Sequence, residues 1–477
     1  YFSRVFTANS GLSQFVGSAF MSGDTSGFFN LPGGPISFAL GGEYRRETAF
    51  YKQDRFATDG FTNGVSIPDF VPPAFEVKEG YGEVRLPLLK DLPLIQDLTL
   101  SGAGRVAKYQ GKVGTQWSYN AGVDWTPVSD IRFRANYSRA VRAPNVSETG
   151  FPLVPNFSNG FVDPCNPANI GTGLRQQNCI ADIGATNLAG LTNITQSLPI
   201  VSGSNPNLIS EVSDSYTIGA VIQPSFIPNF NLSVDFYDIT VKNVIASIGV
   251  QTLVNLCYDT PRPNIFCGQF TRWNGPGNGP NGEQPGRILG NSLINAPVNF
   301  AKRVRRGIDV NFNYRHDFGW LDFSTDAVYT HSLINSNYQD PTNPNFESRI
   351  LGQLGDPKDE FRWDFNFGVG PVTLGYRTRY IGPMYRTSYN SLFPLNGIDP
   401  QNVDAFPTTQ FPRVWYHDLR FDIDVLKGKS NSLLLYFGVD NFMNQGVPQG
   451  ATTATGSGSA IYSFRGRTFF AGARARF

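Results

Sequence analysis

Val414-Trp415-Tyr416-His417-Asp418-Leu419-Arg420-Phe421-Asp422-Ile423-Asp424-Val425 is the stretch on which the fold turns. Trp415, Leu419, Phe421, Ile423 and Val425 share one face, and Asp418, Arg420, Asp422 and Asp424 share the other. Successive side chains of a strand point to opposite sides, so this alternation marks a strand with one apolar and one charged face. The pattern repeats outward along the chain. Val304, Ile308, Val310, Phe312 and Tyr314 alternate with Arg303, Arg305, Asp309, Asn311, Asn313 and Arg315. Phe361, Trp363, Phe365, Phe367 and Val369 alternate with Arg362, Asp364 and Asn366. Leu433, Leu435, Phe437 and Val439 form a further row. In Asn231–Val241 the apolar row Leu232, Val234, Phe236 passes to Tyr237, Ile239, Val241, for which a bulge and an aromatic-girdle position are both candidates.

A soluble sandwich also alternates, so length and spacing must decide. Strands are expected at 16–30, 36–50, 75–87, 97–109, 116–126, 131–140, 211–223, 230–245, 303–316, 320–333, 360–369, 372–386, 413–426, 432–442 and 464–477. Most exceed the usual length of about five or six residues in globular strands and are long enough to cross a bilayer when tilted. Connections after odd-numbered strands are short: Leu31–Pro35, Leu88–Gln96, Pro127–Asp130, Pro224–Asn229, Asp317–Gly319, Gly370–Pro371 and Lys427–Asn431. Those after even-numbered strands are mostly long: 51–74, 141–210, 246–302, 334–359, 387–412 and 443–463, with 110–115 the exception. Short periplasmic turns opposite long extracellular loops are the asymmetry of an outer-membrane barrel, and a sandwich has no reason to sort loops by parity. The expectation is an all-β, transmembrane, antiparallel up-and-down β-barrel occupying residues 1–477.

Composition agrees with one large β structure. Aromatic residues make up 14% of the chain and charged residues 16%, and there are 50 glycines. A formal net charge of +1 argues against a nucleic-acid surface, which needs a basic field. No apolar run is long enough for a membrane-spanning helix. The mean hydropathy of -0.23 does not discriminate, because a barrel with one polar face averages to such a value. Cys165 with Cys179, and Cys257 with Cys267, fall as two local pairs in Pro/Asn/Gly-rich loops without nearby histidine. That spacing is poor for zinc and suits disulfides in an oxidising compartment.

The chain ends on the row Phe469, Ala471, Ala473, Ala475, Phe477, facing Thr468, Gly472, Arg474 and Arg476. A last strand with a terminal aromatic, Phe477, resembles the signal read by the barrel-assembly machinery of bacterial outer membranes. Further segments resemble TonB-dependent outer-membrane receptors. Asn136-Tyr137-Ser138-Arg139-Ala140-Val141-Arg142-Ala143-Pro144-Asn145 resembles the family's strand that ends in Arg-Ala-Pro before a long outer loop. Asn205-Pro206-Asn207-Leu208, with Glu211 and Ser215–Gly219, resembles the strand returning from it, and Ser233–Ile239 the next. Gly438-Val439-Asp440-Asn441-Phe442 and Gly466–Phe477 resemble the last two strands.

The resemblance implies a 22-stranded barrel filled by an N-terminal plug and driven by the TonB complex. About fifteen strands are counted here, and the chain starts at Tyr1 without a leader or plug. It is therefore read as the C-terminal barrel portion of a longer receptor, lacking plug and first strands. With an odd count, the first and last strands run the same way and cannot close antiparallel. The implied function is TonB-energised uptake of a scarce nutrient: oligosaccharide, iron–siderophore or cobalamin. Loops rich in Asn, Gly, Pro and aromatics resemble receptors common in α-proteobacteria and slightly favour carbohydrate. A passive, porin-like channel is the alternative. Membrane lipids and lipopolysaccharide are further expected partners.

No catalytic constellation stands out, and neither an enzyme activity nor a cofactor is expected. His316, His331 and His417 are isolated on strands, and the charges around Arg420 read as a compensated, hydrated lining. Asn274–Gly282 reads as a flexible loop and not a phosphate cradle, since it opens no helix. Recognition is assigned to the loops: Phe151, Phe157 and Phe161 in 141–210, and Tyr389, Asn390 and Phe393 in 387–412. Aromatics with amides can stack on a sugar or cradle a siderophore, and can equally pack the loops together.

Overall fold

The computed structural model describes residues 5 and 7–476 except 62–65, 192–196, 341–342, 401, 405, 429–430 and 452–460; Phe477 thus lies outside the described residues. One sheet dominates. Its strands are β1 Asn9–Asp24, β2 Ser37–Lys52, β3 Phe75–Leu92, β4 Ile95–Tyr109 and β5 Thr115–Val128. They continue as β6 Ile131–Arg142, β7 Glu211–Ile222, β8 Phe230–Ala246, β9 Val298–Asp317 and β10 Asp322–Tyr338. The last are β11 Asp359–Val369, β12 Val372–Ile381, β13 Val414–Lys427, β14 Ser432–Asp440 and β15 Thr468–Arg476. Each strand pairs with its sequence neighbours, and the short strand Ser348–Arg349 hangs on β10. Every pairing along this path is antiparallel, as an up-and-down barrel requires. Among the described residues β1 and β15 do not pair with each other, so the sheet is open along one seam.

The register confirms the two faces. Phe361, Tyr380 and Trp415 lie in direct cross-strand register, with ring centroids 4.8–5.2 Å apart. Phe421 and Phe437 stack at 5.0 Å, and Trp125 and Phe133 at 5.5 Å. Aromatic pairs of this kind are the unit of sheet stabilisation on the apolar face. The other face carries ion pairs, including Arg134–Asp235 at 2.5 Å, Arg377–Asp364 at 2.5 Å and Arg379–Glu360 at 2.8 Å. Trp117 is 62% and Phe469 73% exposed on the apolar side. A belt of that size is a liability in water and is at home against hydrocarbon.

Several expected bounds move: the link Leu88–Gln96 shrinks to 93–94, the strand expected at 372–386 ends at Ile381, and the last begins at Thr468. Two further expectations change. The first strand spans 9–24 and not 16–30, because Phe28 and Phe29 sit in the following turn, which holds a minimal hairpin of Asn30–Leu31 with Gly34–Pro35. In β8 no bulge accompanies the change of apolar row: pairing with β9 is continuous from Phe230 to Val241. The side of Leu232, Val234 and Phe236 continues into Asp238, which is ion-paired with Arg306. The apolar belt ends there, and the strand runs on beyond it.

Strands alternate in direction, so the short connections gather at one rim and 53–74, 143–210, 247–297, 339–358, 382–413 and 441–467 at the other. The exception predicted at 110–115 is a tight five-residue link, 110–114. The largest buried cluster lies at the long-loop rim, outside the sheet.

Candidate functional site

Connections 143–210 and 247–297 fold together into one unit. Helix α1, Leu174–Ile183, lies against helix α2, Val250–Asp259, and both feed a core with Phe161, Ile200, Leu253, Val254, Ile288 and Leu293. Val250, Leu253, Val254 and Cys257 follow helical spacing, so one stripe of α2 is buried. A three-stranded sheet joins Val154–Ser158, Leu198–Ser202 and Ile294–Asn295, tying the two connections to each other. Cys165–Cys179 and Cys257–Cys267 are disulfide-bonded, with Cα atoms 5.5 and 4.8 Å apart. Peptide mapping of unreduced protein should recover these two pairs and no others; free thiols or crossed pairs would remove the assignment.

A buried polar knot fastens the unit. The Arg272 guanidinium donates to both Asp163 oxygens at 2.8 Å, and the two side chains are only 2% and 3% exposed. Arg272 also donates to the Tyr258 hydroxyl at 2.5 Å, which in turn donates to Asp182 at 2.5 Å, and Arg262 pairs with Asp182 at 3.2 Å. Burial opposes the charge of Arg272, but Asp163 outweighs it and holds the guanidinium above its ordinary value. Burial pushes the Tyr258 hydroxyl up, so it stays protonated and able to donate. The glycine-rich stretch is wrapped around Trp273, whose indole donates to the Gly277 carbonyl at 2.9 Å and packs on Gly275 and Gly279. Desolvation disfavours the nearby Glu283 carboxylate, yet the Gly290 amide and the Asn281 side chain and amide, at 2.8–2.9 Å, hold it down to about 2.

The loop residues singled out by sequence divide by environment. Phe161 is part of the buried core, and Phe151 packs on Tyr51 and Phe70, with centroids 4.9 and 6.1 Å away. Phe157 stands exposed on the edge strand of the small sheet. Tyr389 and Phe393 come together with Tyr385, with centroids 4.9–6.0 Å apart, and Arg349 lies 4.6 Å over the Tyr389 ring. Asn390 is exposed and helps line a cavity of about 240 Å³ with Phe346, Glu347, Leu395 and Asn396. A second core, of Ile381, Met384, Phe411, Val414, Tyr416 and Tyr462, supports this loop group, and Arg386 lies 4.5 Å over the Phe411 ring. Sequence reading had no local signal for the Arg272 knot or for the placement of Arg349 over Tyr389 and Arg386 over Phe411, ring partners 40 and 25 residues away, although Arg349 also pairs with nearby Glu347 at 2.9 Å.

On the wall, the charges around Arg420 line a cavity of about 550 Å³ with Asp364, Arg377, Asp418, Asp440 and Phe470. Arg420 donates to Asp422 at 2.9 Å, and Asp418 accepts the Asn441 amide at 2.6 Å. His331 lies 2.6 Å from Asp359 and His417 2.8 Å from the Tyr376 hydroxyl, while His316 packs on Phe318.

The comparisons with known proteins follow this geometry. A family model described as "TonB dependent receptor-like, beta-barrel" matches residues 2–442. Among curated proteins none matches the chain by sequence. The siderophore receptor PirA from Acinetobacter baumannii superposes with a TM-score of 0.59 at 14% identity, over 98% of this chain and 55% of its own. The ferric enterobactin receptor PfeA from Pseudomonas aeruginosa, in complex with BCV-L6, gives 0.61 at 14% identity over 98% and 54%. The Serratia marcescens hemophore receptor HasR, in complex with HasA and heme, gives 0.54 at 16% identity over 99% and 60%. The chain thus spans little more than half the length of these structures, which at such identity speak for the fold alone. Period-two strands, loop parity, the fifteen-strand meander and the family match over most of the chain lead to one statement: this chain belongs to the TonB-dependent receptor β-barrel family.

Proposed function

We propose that residues 1–477 form the C-terminal barrel portion of a longer receptor that takes up a scarce nutrient across the outer membrane of a Gram-negative bacterium, energised by the TonB complex. The observation that carries this reading is the family match over 2–442, joined to a loop unit built at the rim of a wall whose polar face is lined with paired charges. The plug and the first strands of the receptor are assigned to sequence outside this chain, and energy coupling to that region.

For the ligand, two classes have particular support. Receptors for siderophores and for heme share the fold, and Arg386 on the Phe411 ring suits an anionic chelate. Tyr389, Asn390 and Phe393 suit an oligosaccharide, by stacking and amide hydrogen bonds. Cobalamin is a third class. A passive channel is the competing mechanism. Uptake of ferric siderophore or oligosaccharide by cells making the full receptor should stop when the proton-motive force is collapsed; uptake that continues unchanged would establish the passive channel. Topology is tested on the same cells. A cysteine at Asn278, exposed in the long connection 247–297, should react with an impermeant maleimide from outside, and one at Gly319 should be protected. The reverse labelling would invert the proposed orientation.

A further inference from the structure

We propose that the polar face of β8–β10, near the long-loop rim, is a binding site for a sugar acid, one uronate residue of an oligosaccharide. This rests on the uptake reading above and names a substrate class within it. Three columns of side chains stand next to one another there. Tyr237, Ile239 and Val241 come from β8, Arg303 and Arg305 from β9, and Asn335 and Asn337 from β10. The register sets Arg303 between Val241 and Asn337, Arg305 between Ile239 and Asn335, and Gly307 between Tyr237 and Ser332. Asp235 shares the side of Tyr237 and is paired with Arg134, which makes this the polar side of the wall. The change of row in β8 therefore carries half-buried apolar side chains onto the polar face, beside the two arginines. Gly307 makes room for the Tyr237 ring, since an added Cβ would lie 2.5 Å from its hydroxyl.

The polar groups of these columns lack counterparts within the chain. Elsewhere on this face arginine is matched: Arg134 with Asp235, Arg142 with Glu211, Arg379 with Glu360 and Arg420 with Asp422. Arg303 and Arg305 make no ion pair or side-chain hydrogen bond among the described residues. The acids that reach them electrostatically, Glu211 and Asp356, are engaged by other groups. Glu211 accepts from Arg142 at 2.7 Å and from the Ile245 amide at 2.8 Å, and Asp356 accepts from the Asn335 side chain at 2.6 Å. Asn335 is 8% exposed, and its carbonyl oxygen, that of Asn337 and Nη1 of Arg305 are all buried without a partner. Buried polar groups are ordinarily hydrogen-bonded, so mismatched ones in adjoining positions mark a surface that a ligand completes. Recognition involves side-chain rotation at these residues, each gaining a partner it lacks in the free wall. The ligand must bring an anion for the guanidinium groups, hydroxyl donors for the amide oxygens and an apolar face for Tyr237 and its neighbours. A pyranose carrying a carboxylate brings all of these. A neutral sugar leaves the arginines unmet. A ferric chelate whose hydroxyls are deprotonated on the metal offers the amide oxygens no donor, and neither does a carboxylate side chain from elsewhere in the receptor.

The experiment titrates short oligomers of galacturonate, mannuronate and glucuronate into the purified full receptor and follows binding by calorimetry. Their methyl esters, the neutral oligomers and ferric citrate are the comparison probes. At least one acidic oligomer should bind, and its ester at least about tenfold more weakly. R303Q/R305Q should lose a similar factor for the acid and nothing for the ester. Arg303 is exposed and unpaired, so R303Q alone should fold as wild type and show part of that loss. Asn337→Leu removes an acceptor, keeps both charges and should weaken acid and ester alike. Several results would each overturn the proposal: equal binding of acid and ester, no binding of any acidic oligomer, or ferric citrate binding that R303Q/R305Q abolishes. A plug that becomes protease-sensitive in R303Q/R305Q while ligand affinity holds would overturn it too, by assigning the arginines to the plug. Cells that take up no nutrient in a TonB-dependent manner would instead overturn the reading on which the site rests.

Discussion

Arg272→Met should unfold the loop unit while leaving the barrel wall standing. The substitution removes the only cation within salt-bridge distance of Asp163 among the described residues and strands a carboxylate that is 3% exposed. Breaking a buried pair in this way costs about 3–5 kcal/mol, because the remaining charge is left without compensation. The loss concentrates on the loop unit, since Asp163, Tyr258, Gly286 and Asp182 all come from its two connections. The Gly286 carbonyl would lose its 2.6 Å donor as well. Limited proteolysis of the full receptor should cut within 143–297 far faster than in wild type, and high-affinity ligand binding should fall with it. Heat-modifiable migration, which reports the wall, should persist. Pairing the change with Asp163→Asn removes the stranded charge and keeps an acceptor for the Cys165 amide now 2.9 Å from Asp163, so protection should return in part. Equal protease resistance in wild type and Arg272→Met would show that the disulfides alone hold the unit.

The same knot marks where the sequence stops being readable. Alternation in Val414–Val425 was legible because a strand between lipid and water needs only local information, one side chain to each medium. The fifteen strands follow from that, and the loop parity from their spacing. β1 was placed too late because Ser, Gly and Ala carry no contrast between faces, whereas Phe28 and Phe29 carry it into a turn. The helices within the long connections left a trace in the spacing of Val250, Leu253, Val254 and Cys257, but the glycine- and proline-rich surroundings masked it. Arg272 and Asp163 are 109 residues apart, and no periodicity joins them. Phe157 and Phe161 look alike in sequence and differ only through the small sheet and core that expose one and bury the other. Recognition sites are assembled from distant pieces, whereas a barrel wall is written strand by strand.

Residues 1–477 produced alone should fail to give a closed, heat-modifiable monomer. Among the described residues β1 pairs only with β2 and β15 only with β14, so each presents a free edge. Both run toward the short-connection rim, so they cannot join by the antiparallel pairing used everywhere else in the wall. Along a free edge every second residue directs its N–H and C=O away from the sheet, and in hydrocarbon each such group costs several kcal/mol. Free edges in water invite pairing with other chains, so misassembly or aggregation follows in either solvent. The polar face of β1 adds to the difficulty. Its side chains there include Leu12, Val16 and Phe20, the last 75% exposed, which neither a hydrated lumen nor solvent favours. One closure escapes the antiparallel constraint: a parallel β1–β15 contact, since odd-stranded barrels do exist. Refolding the chain into detergent micelles and comparing heated with unheated samples on a gel separates the cases. A sharp, fast-migrating unheated band with native-like β content would show that the two edges meet in parallel, and the wall would then need no further strands.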